Sequence, residues 1–356
     1  MNDNINVDGE NKSRRGFLKT AGTAGAMAVA GVAGAAQAGA SLDPDARSRK
    51  AYKGPHQMPK GMTLVSIRKD GVDTLGVKTA LGILDVKAAA HVLHIDTPVT
   101  MDEMLQEGSA ANLKKLIQAA SKSHNAKLFL DESKITHGRL FQNPGKIICI
   151  GLNYREHAAE ANESVPRVPI LFNKYNNALN SHNCTIKLPT EVSTKFDYEV
   201  ELLVVIGKRA SNVSKDDALN YVAGYCTSND FSSRDLQMEL DGKQWMLGKT
   251  LDGFGPIGPY FVSADLVDDP NKLDIECRVN GETRQKSNTS FFVYNVQYVI
   301  SYISKHFALE PGDIIFTGTP SGVILGYPKE KQVWLKAGDK IACSVGNLGE
   351  LKFDLA

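Results

Sequence analysis

Beyond residue 60, apolar residues fall mostly in short runs broken by polar turns. Leu64-Val65-Ser66-Ile67, a turn at Asp70-Gly71, and Ile83-Leu84-Asp85-Val86 predict short strands. The period then changes. Thr100 to Glu107 predicts a helix opened by a capping box of Thr100 and Glu103, and 112–123 predicts another, with Leu113, Leu116, Ile117 and Ala120 three or four apart. Strand patterns resume at Lys146-Ile147-Ile148-Cys149-Ile150-Gly151. They recur at 196–206, 257–262, 273–279, 313–316 and 339–345 between Gly, Pro, Asn and Asp. One further helix is expected over 293–306, through Val296, Val299, Ile300 and Ile303. Many strands with few helices predict an α+β, mostly β architecture rather than a doubly wound parallel sheet.

The first forty residues follow another pattern. Ser13-Arg14-Arg15-Gly16-Phe17-Leu18-Lys19 precedes an uncharged stretch of Ala, Gly, Val and Met, and Ala36-Gln37-Ala38 supplies a small-residue cleavage site. A charged start, an apolar middle and such a site make a signal peptide over 1–38, cut near Ala38. The twin arginines resemble a twin-arginine (Tat) export signal, so the expectation is a periplasmic protein handled by the Tat machinery. A linker follows over 39–60, containing Pro44, Pro55 and Pro59. A small N-terminal α+β unit is expected over 61–143, and a larger strand-rich domain over 144–356.

Composition narrows the function. Lys+Arg number 41 against 40 Asp+Glu in 356 residues, so no broad basic field exists to hold a nucleic-acid backbone. The 5 cysteines are scattered without a CxxC pair, which excludes a zinc knuckle or a disulfide framework and reads them as buried small hydrophobes.

The strongest candidate chemistry is Asp197-Tyr198-Glu199-Val200-Glu201-Leu202-Leu203. In one continuous strand, Asp197, Glu199 and Glu201 share a face, with the glutamates roughly 6.6 Å apart at about 3.3 Å per residue. Like charges that close on an apolar strand invite a shared cation; the alternative is a solvated strand face. Asp230, in Asn229-Asp230-Phe231-Ser232-Ser233-Arg234, can add a third carboxylate, although Asn-Asp before Ser-Ser is also an ordinary turn. Three hard oxygen donors suit Mg²⁺ or Mn²⁺. They would leave the site near −1, so an anionic substrate needs further cations, for which Lys174, Arg234 and Lys249 are available. His157 and Glu160 are three apart, on one face if that segment is helical, and a carboxylate-oriented imidazole can act as a general base.

These segments together resemble the fumarylacetoacetate hydrolase family. The matching stretches are Lys146 to Glu160, Asp197 to Gly207, Asn229 to Gln237, Gln244 to Thr250, Pro256 to Val262, Val279 to Glu282 and Pro311 to Gly322, in family order. The resemblance implies a mixed β-sandwich or β-roll catalytic domain, a homodimer, and Mg²⁺ or Mn²⁺ held by Glu199, Glu201 and Asp230. It also implies a lid dyad of His157 and Glu160, a lysine beside the metal at Lys249, substrate-facing Arg234 and Gln237, and a substrate carboxylate on Thr319. Phe231 replaces the Val or Trp common in relatives, beside a ligand where it would shape the pocket. The implied chemistry is metal-dependent hydrolysis of a C–C bond in an acylpyruvate-like β-diketo acid. The alternatives are isomerisation or decarboxylation of a small 2-oxo acid, and a periplasmic dicarboxylate binder without turnover.

Overall fold

The computed structural model describes residues 54–356. The expected export signal over 1–38 and the start of the linker lie outside the described residues.

A ten-stranded mixed sheet runs in the order Phe129–Leu130, Gly82–Asp85, Val72–Thr79, Thr63–Lys69, Phe261–Ser263, Val222–Asn229, Val200–Ile206, Ile314–Phe316, Ile147–Gly151 and Ile170–Asn173. Its pairs are antiparallel except Ile314–Phe316 beside Ile147–Gly151. A five-stranded sheet runs Glu282–Asn288, Asp274–Val279, Lys340–Val345, Glu350–Leu355 and Cys184–Ile186. The architecture is the expected mostly β, α+β class.

The Val200–Ile206 strand explains why the chain forms two packed layers. All of its residues are buried, and successive side chains point to opposite faces. Leu202, Val204 and Ile206 join a core with Val279, Ile341 and Val345 of the five-stranded sheet. Leu203 and Val205 join a second core with Leu64, Val77, Leu113 and Leu116. A strand covered on both faces needs no polar alternation, which is why it reads as a continuous apolar run.

Helix Met101–Gln106 is capped as expected: Glu103 N donates to Thr100 Oγ1 at 3.2 Å. Helices Ala110–Lys122 and Val296–His306 also form, the latter capped by Asn295, whose Oδ1 accepts from Tyr298 N at 2.9 Å. Helix Val86–Leu93 was not expected from the pattern. Its Asp85 cap is the last residue of the preceding strand, so strand and helix signals run together there. Cys149, Cys226, Cys277 and Cys343 are buried, Cys184 partly so, and all are free thiols. No helix among the described residues is long and apolar enough to cross a membrane.

Candidate active site

The acidic segment does not form one strand. Pairing covers Phe196–Asp197, lapses at Tyr198 and Glu199, and resumes at Val200. This corrects the expectation that Asp197, Glu199 and Glu201 share a face. Asp197 is instead buried against Arg234, with Oδ2 accepting from Arg234 Nε at 2.8 Å. Its Oδ1 accepts from Ile324 N at 2.9 Å, and Oδ2 from Leu325 N at 3.1 Å.

Glu199, Glu201 and Asp230 do converge. One carboxylate oxygen of each lies within 4.8 Å of those of the others, and all three residues are buried. The backbone sets them there. Glu201 pairs with Ser228 across adjacent strands, Asp230 N donates to Glu199 O at 2.9 Å, and Glu199 N donates to Asn229 Oδ1 at 3.2 Å. Gly318 N donates to Glu201 Oε2 at 2.7 Å. Both Asp230 oxygens are buried without a directed hydrogen bond, although Lys174 Nζ stands 2.6 Å and Lys249 Nζ 3.1 Å away. Three hard, desolvated oxygen donors fit a divalent ion such as Mg²⁺ or Mn²⁺ better than a soft metal.

The charges are closely interleaved. Lys249 Nζ lies 2.7 Å from Glu199 Oε2, and Arg234 Nη2 lies 2.7 Å from Glu199 Oε1. Burial alone would raise the Glu199 pKa, but the Lys249 and Arg234 charges hold it below the usual carboxylate range. Glu201 moves the other way: burial, then the charges of Asp230 and Glu199, push its carboxyl well above that range. Lys249 is raised despite burial, because Asp230 and Glu199 favour its ammonium form. Four carboxylates (Asp197, Glu199, Glu201, Asp230) meet three cations (Lys174, Arg234, Lys249) in this cluster. A bound divalent ion turns that formal −1 into +1, which favours an anionic ligand.

His157 and Glu160 sit on the short helix Arg155–Glu160, which makes the conditional helical reading hold. Asn153 anchors its start: Nδ2 donates to Thr317 O at 2.7 Å, and Oδ1 accepts from Tyr294 N at 2.8 Å. His157 Nδ1 meets Glu160 Oε1 at 2.8 Å, leaving Nε2 as the available ring nitrogen. A small cavity of about 40 Å³ is lined by His157, Glu199, Arg234, Gln237, Lys249 and Thr319. Phe172 and Trp245 form its aromatic wall, their ring centroids 5.6 Å apart.

Other expected site residues are placed more specifically. Arg234 Nη1 donates to Gln237 Oε1 at 2.8 Å, so these two residues brace each other. Thr319 Oγ1 donates to Val200 O at 2.9 Å and accepts from Gln285 Nε2 at 2.8 Å, so its proton is already committed. Lys174 is not on the cavity wall. Its ammonium donates to Phe254 O at 2.9 Å, to Phe231 O at 3.3 Å and to Lys249 O, and its charge faces Asp230 from behind. Phe231 points into the core against Phe254, 4.8 Å between centroids, and does not shape the cavity. Sequence reasoning passed over Asn153, Asn229 and Gln285. Each is an ordinary loop or strand amide until its partner is known.

Residues 146–356 match the family model described as "Fumarylacetoacetate (FAA) hydrolase C-terminal". The Dictyostelium discoideum "Fumarylacetoacetate hydrolase domain-containing protein 2 homolog" is 54% identical over 217 residues, 58% of this chain and 70% of the relative. "Oxaloacetate tautomerase FAHD2A, mitochondrial" of Bos taurus is 39% identical over 304 residues, 84% of this chain and 93% of the relative. Among solved structures, fumarylpyruvate hydrolase from Pseudomonas aeruginosa in complex with Mn²⁺ and pyruvate matches at a TM-score of 0.54. It is 32% identical, over 59% of this chain and 89% of that one.

Proposed function

The chain belongs to the fumarylacetoacetate hydrolase family of enzymes, and on that premise we propose that it is a divalent-metal-dependent tautomerase of a small 2-oxo dicarboxylate of the oxaloacetate type. The observation that carries this reading is His157, paired with Glu160, on the wall of the cavity that also holds Glu199 and Lys249. It places a general base beside the carboxylates suited to a cation. Similarity to the bovine oxaloacetate tautomerase along 93% of that protein supports the substrate class.

Glu199, Glu201 and Asp230 would hold Mg²⁺ or Mn²⁺, which would supply Lewis-acid charge for enolisation of a 2-oxo acid. Lys249, kept cationic by its carboxylate neighbours, adds positive charge on the same side. Glu160 accepts the Nδ1 proton of His157, so Nε2 is free to take or return the proton on the carbon next to the ketone.

A second reading is C–C hydrolysis of an acylpyruvate, with His157 activating water. It is favoured by an open groove of about 880 Å³ that shares Ala161, Arg234, Met238 and Leu325 with the site cavity and has room for a leaving acyl group. The deciding assay uses the chain with Mg²⁺ or Mn²⁺. Enol-oxaloacetate should lose its enol absorbance faster than in buffer, and chelator should abolish the acceleration. Pyruvate release from acylpyruvates without any effect on the enol would reverse the order of the two readings.

A further inference from the structure

We infer that the loop over residues 322–326 is the docking cradle of Glu160, with Gly326 and Asp197 as positioning residues that set the dyad relative to the metal-side carboxylates. The inference rests on the dyad acting as the proton-transfer pair.

Glu160 has two carboxylate oxygens with different tasks. Oε1 faces His157 Nδ1, while Oε2 accepts from Gly322 N at 2.8 Å. A Cβ on Gly326 would fall against Glu160 Cδ, 2.5 Å from Oε2 and 2.6 Å from Cγ. Its three nearest neighbours are all atoms of that one side chain. Gly326 is not in the left-handed backbone region, so an alanine there suits the backbone and its closest clashes fall on the Glu160 side chain. Gly322 differs, with φ +103 and a would-be Cβ against Arg284 O, so it is held by backbone needs as well.

The cradle is itself tied to the other half of the site. Asp197 accepts from Ile324 N and Leu325 N, and Tyr198 Oη donates to Gly322 O at 2.9 Å. The same Asp197 carboxylate holds Arg234, whose Nη2 stands 2.7 Å from Glu199. A continuous path therefore runs from Glu199 through Arg234, Asp197 and the 324–325 amides to Glu160 and His157. Leu325 also lines the cavity, so the cradle shapes the space it organises. Asp197, which the sequence pattern groups with the metal carboxylates, here ties the dyad's cradle to Arg234 and, through it, to Glu199.

The test is a double-mutant cycle on whichever 2-oxo acid is turned over. Gly326→Ala should lower kcat about 10–100-fold, part of the 10²–10⁴ a positioned base carries, while KM and Mn²⁺ affinity move less than about twofold. In a Glu160→Ala background, adding Gly326→Ala should cost less than about twofold. A full repeat of its wild-type penalty there would overturn the inference. Hydrogen exchange at the Gly322 amide supplies a readout independent of any substrate. Protection should fall at least about tenfold in Gly326→Ala and in Glu160→Ala alike. Wild-type protection in a folded Gly326→Ala protein, or in Glu160→Ala should Gly326→Ala not fold, would overturn it while leaving the tautomerase reading untouched.

Discussion

The two halves of the site rest on different kinds of support. Glu201 lies within one of two adjacent, fully buried strands, and Glu199 and Asp230 flank their ends, joined to each other by the Asp230 N to Glu199 O hydrogen bond. His157 and Glu160 ride a six-residue helix, too short to persist alone, held by Asn153 at one end and the Gly322 amide at the other. A cation centre tolerates little error in oxygen positions, and a two-sided sheet limits that error. The proposed turnover needs the dyad to yield as substrate enters, and the Asn153 and Gly322 tethers are the contacts that would release.

The sharpest way to break this division is to mutate each half. Glu201→Gln should weaken Mn²⁺ binding at least about 100-fold and abolish turnover, since a hard anionic ligand becomes a neutral amide. His157→Ala should lower kcat by about 10²–10⁴ while Mn²⁺ affinity stays within about twofold. Titration with Mn²⁺ beside initial rates separates the two, and equal loss of metal in both variants would collapse the distinction.

Stability should divide the same way. Lys174→Met removes a fully buried cation facing Asp230, and unfolding in urea should show a loss of about 3–5 kcal/mol, the range for one partner taken from a buried pair. Glu160→Gln keeps an oxygen for the Gly322 amide and should cost only about 0.5–1.5 kcal/mol. Similar losses would mean that the helix is as firmly built in as the sheet.

A smaller, pH-dependent effect belongs to the carboxylates alone. Burial and its acidic neighbours raise the Glu201 pKa, so the metal-free protein holds a proton there that the unfolded chain releases at lower pH. That stabilisation is complete below the ordinary glutamate pKa and disappears as pH rises through the raised one. Metal-free protein should therefore lose melting temperature with rising pH across that window, and saturating Mg²⁺ should remove the trend. Mn²⁺ affinity should climb over the same window, because the ion displaces the proton. A flat affinity profile would show that Glu201 is already ionised.

Much of this was legible one segment at a time. The apolar run through 200–206, the Thr100–Glu103 cap and the spacing of His157 and Glu160 are local patterns, and local patterns are written directly in the chain. Glu199, Glu201 and Asp230 were also readable, because acidic residues against strongly apolar strands conflict with burial unless something compensates them. Asp197 marks where this reasoning stopped. Strict alternation assigns it to the cation face, but pairing lapses over Tyr198 and Glu199 and sends its carboxylate to Arg234 and the 324–325 amides. Lys174 likewise reads as a free cation until three backbone carbonyls from distant segments are folded around it.

The sequence by itself determined the class of chemistry, because residue type sets donor hardness, charge and proton affinity wherever the chain goes. Only the tertiary structure decided which charges meet. Arg234 joins Asp197 across 37 positions, and Glu160 reaches Gly322 across 162. Such contacts depend on the sum of sheet register, core packing and loop closure, and no short window of sequence contains that sum.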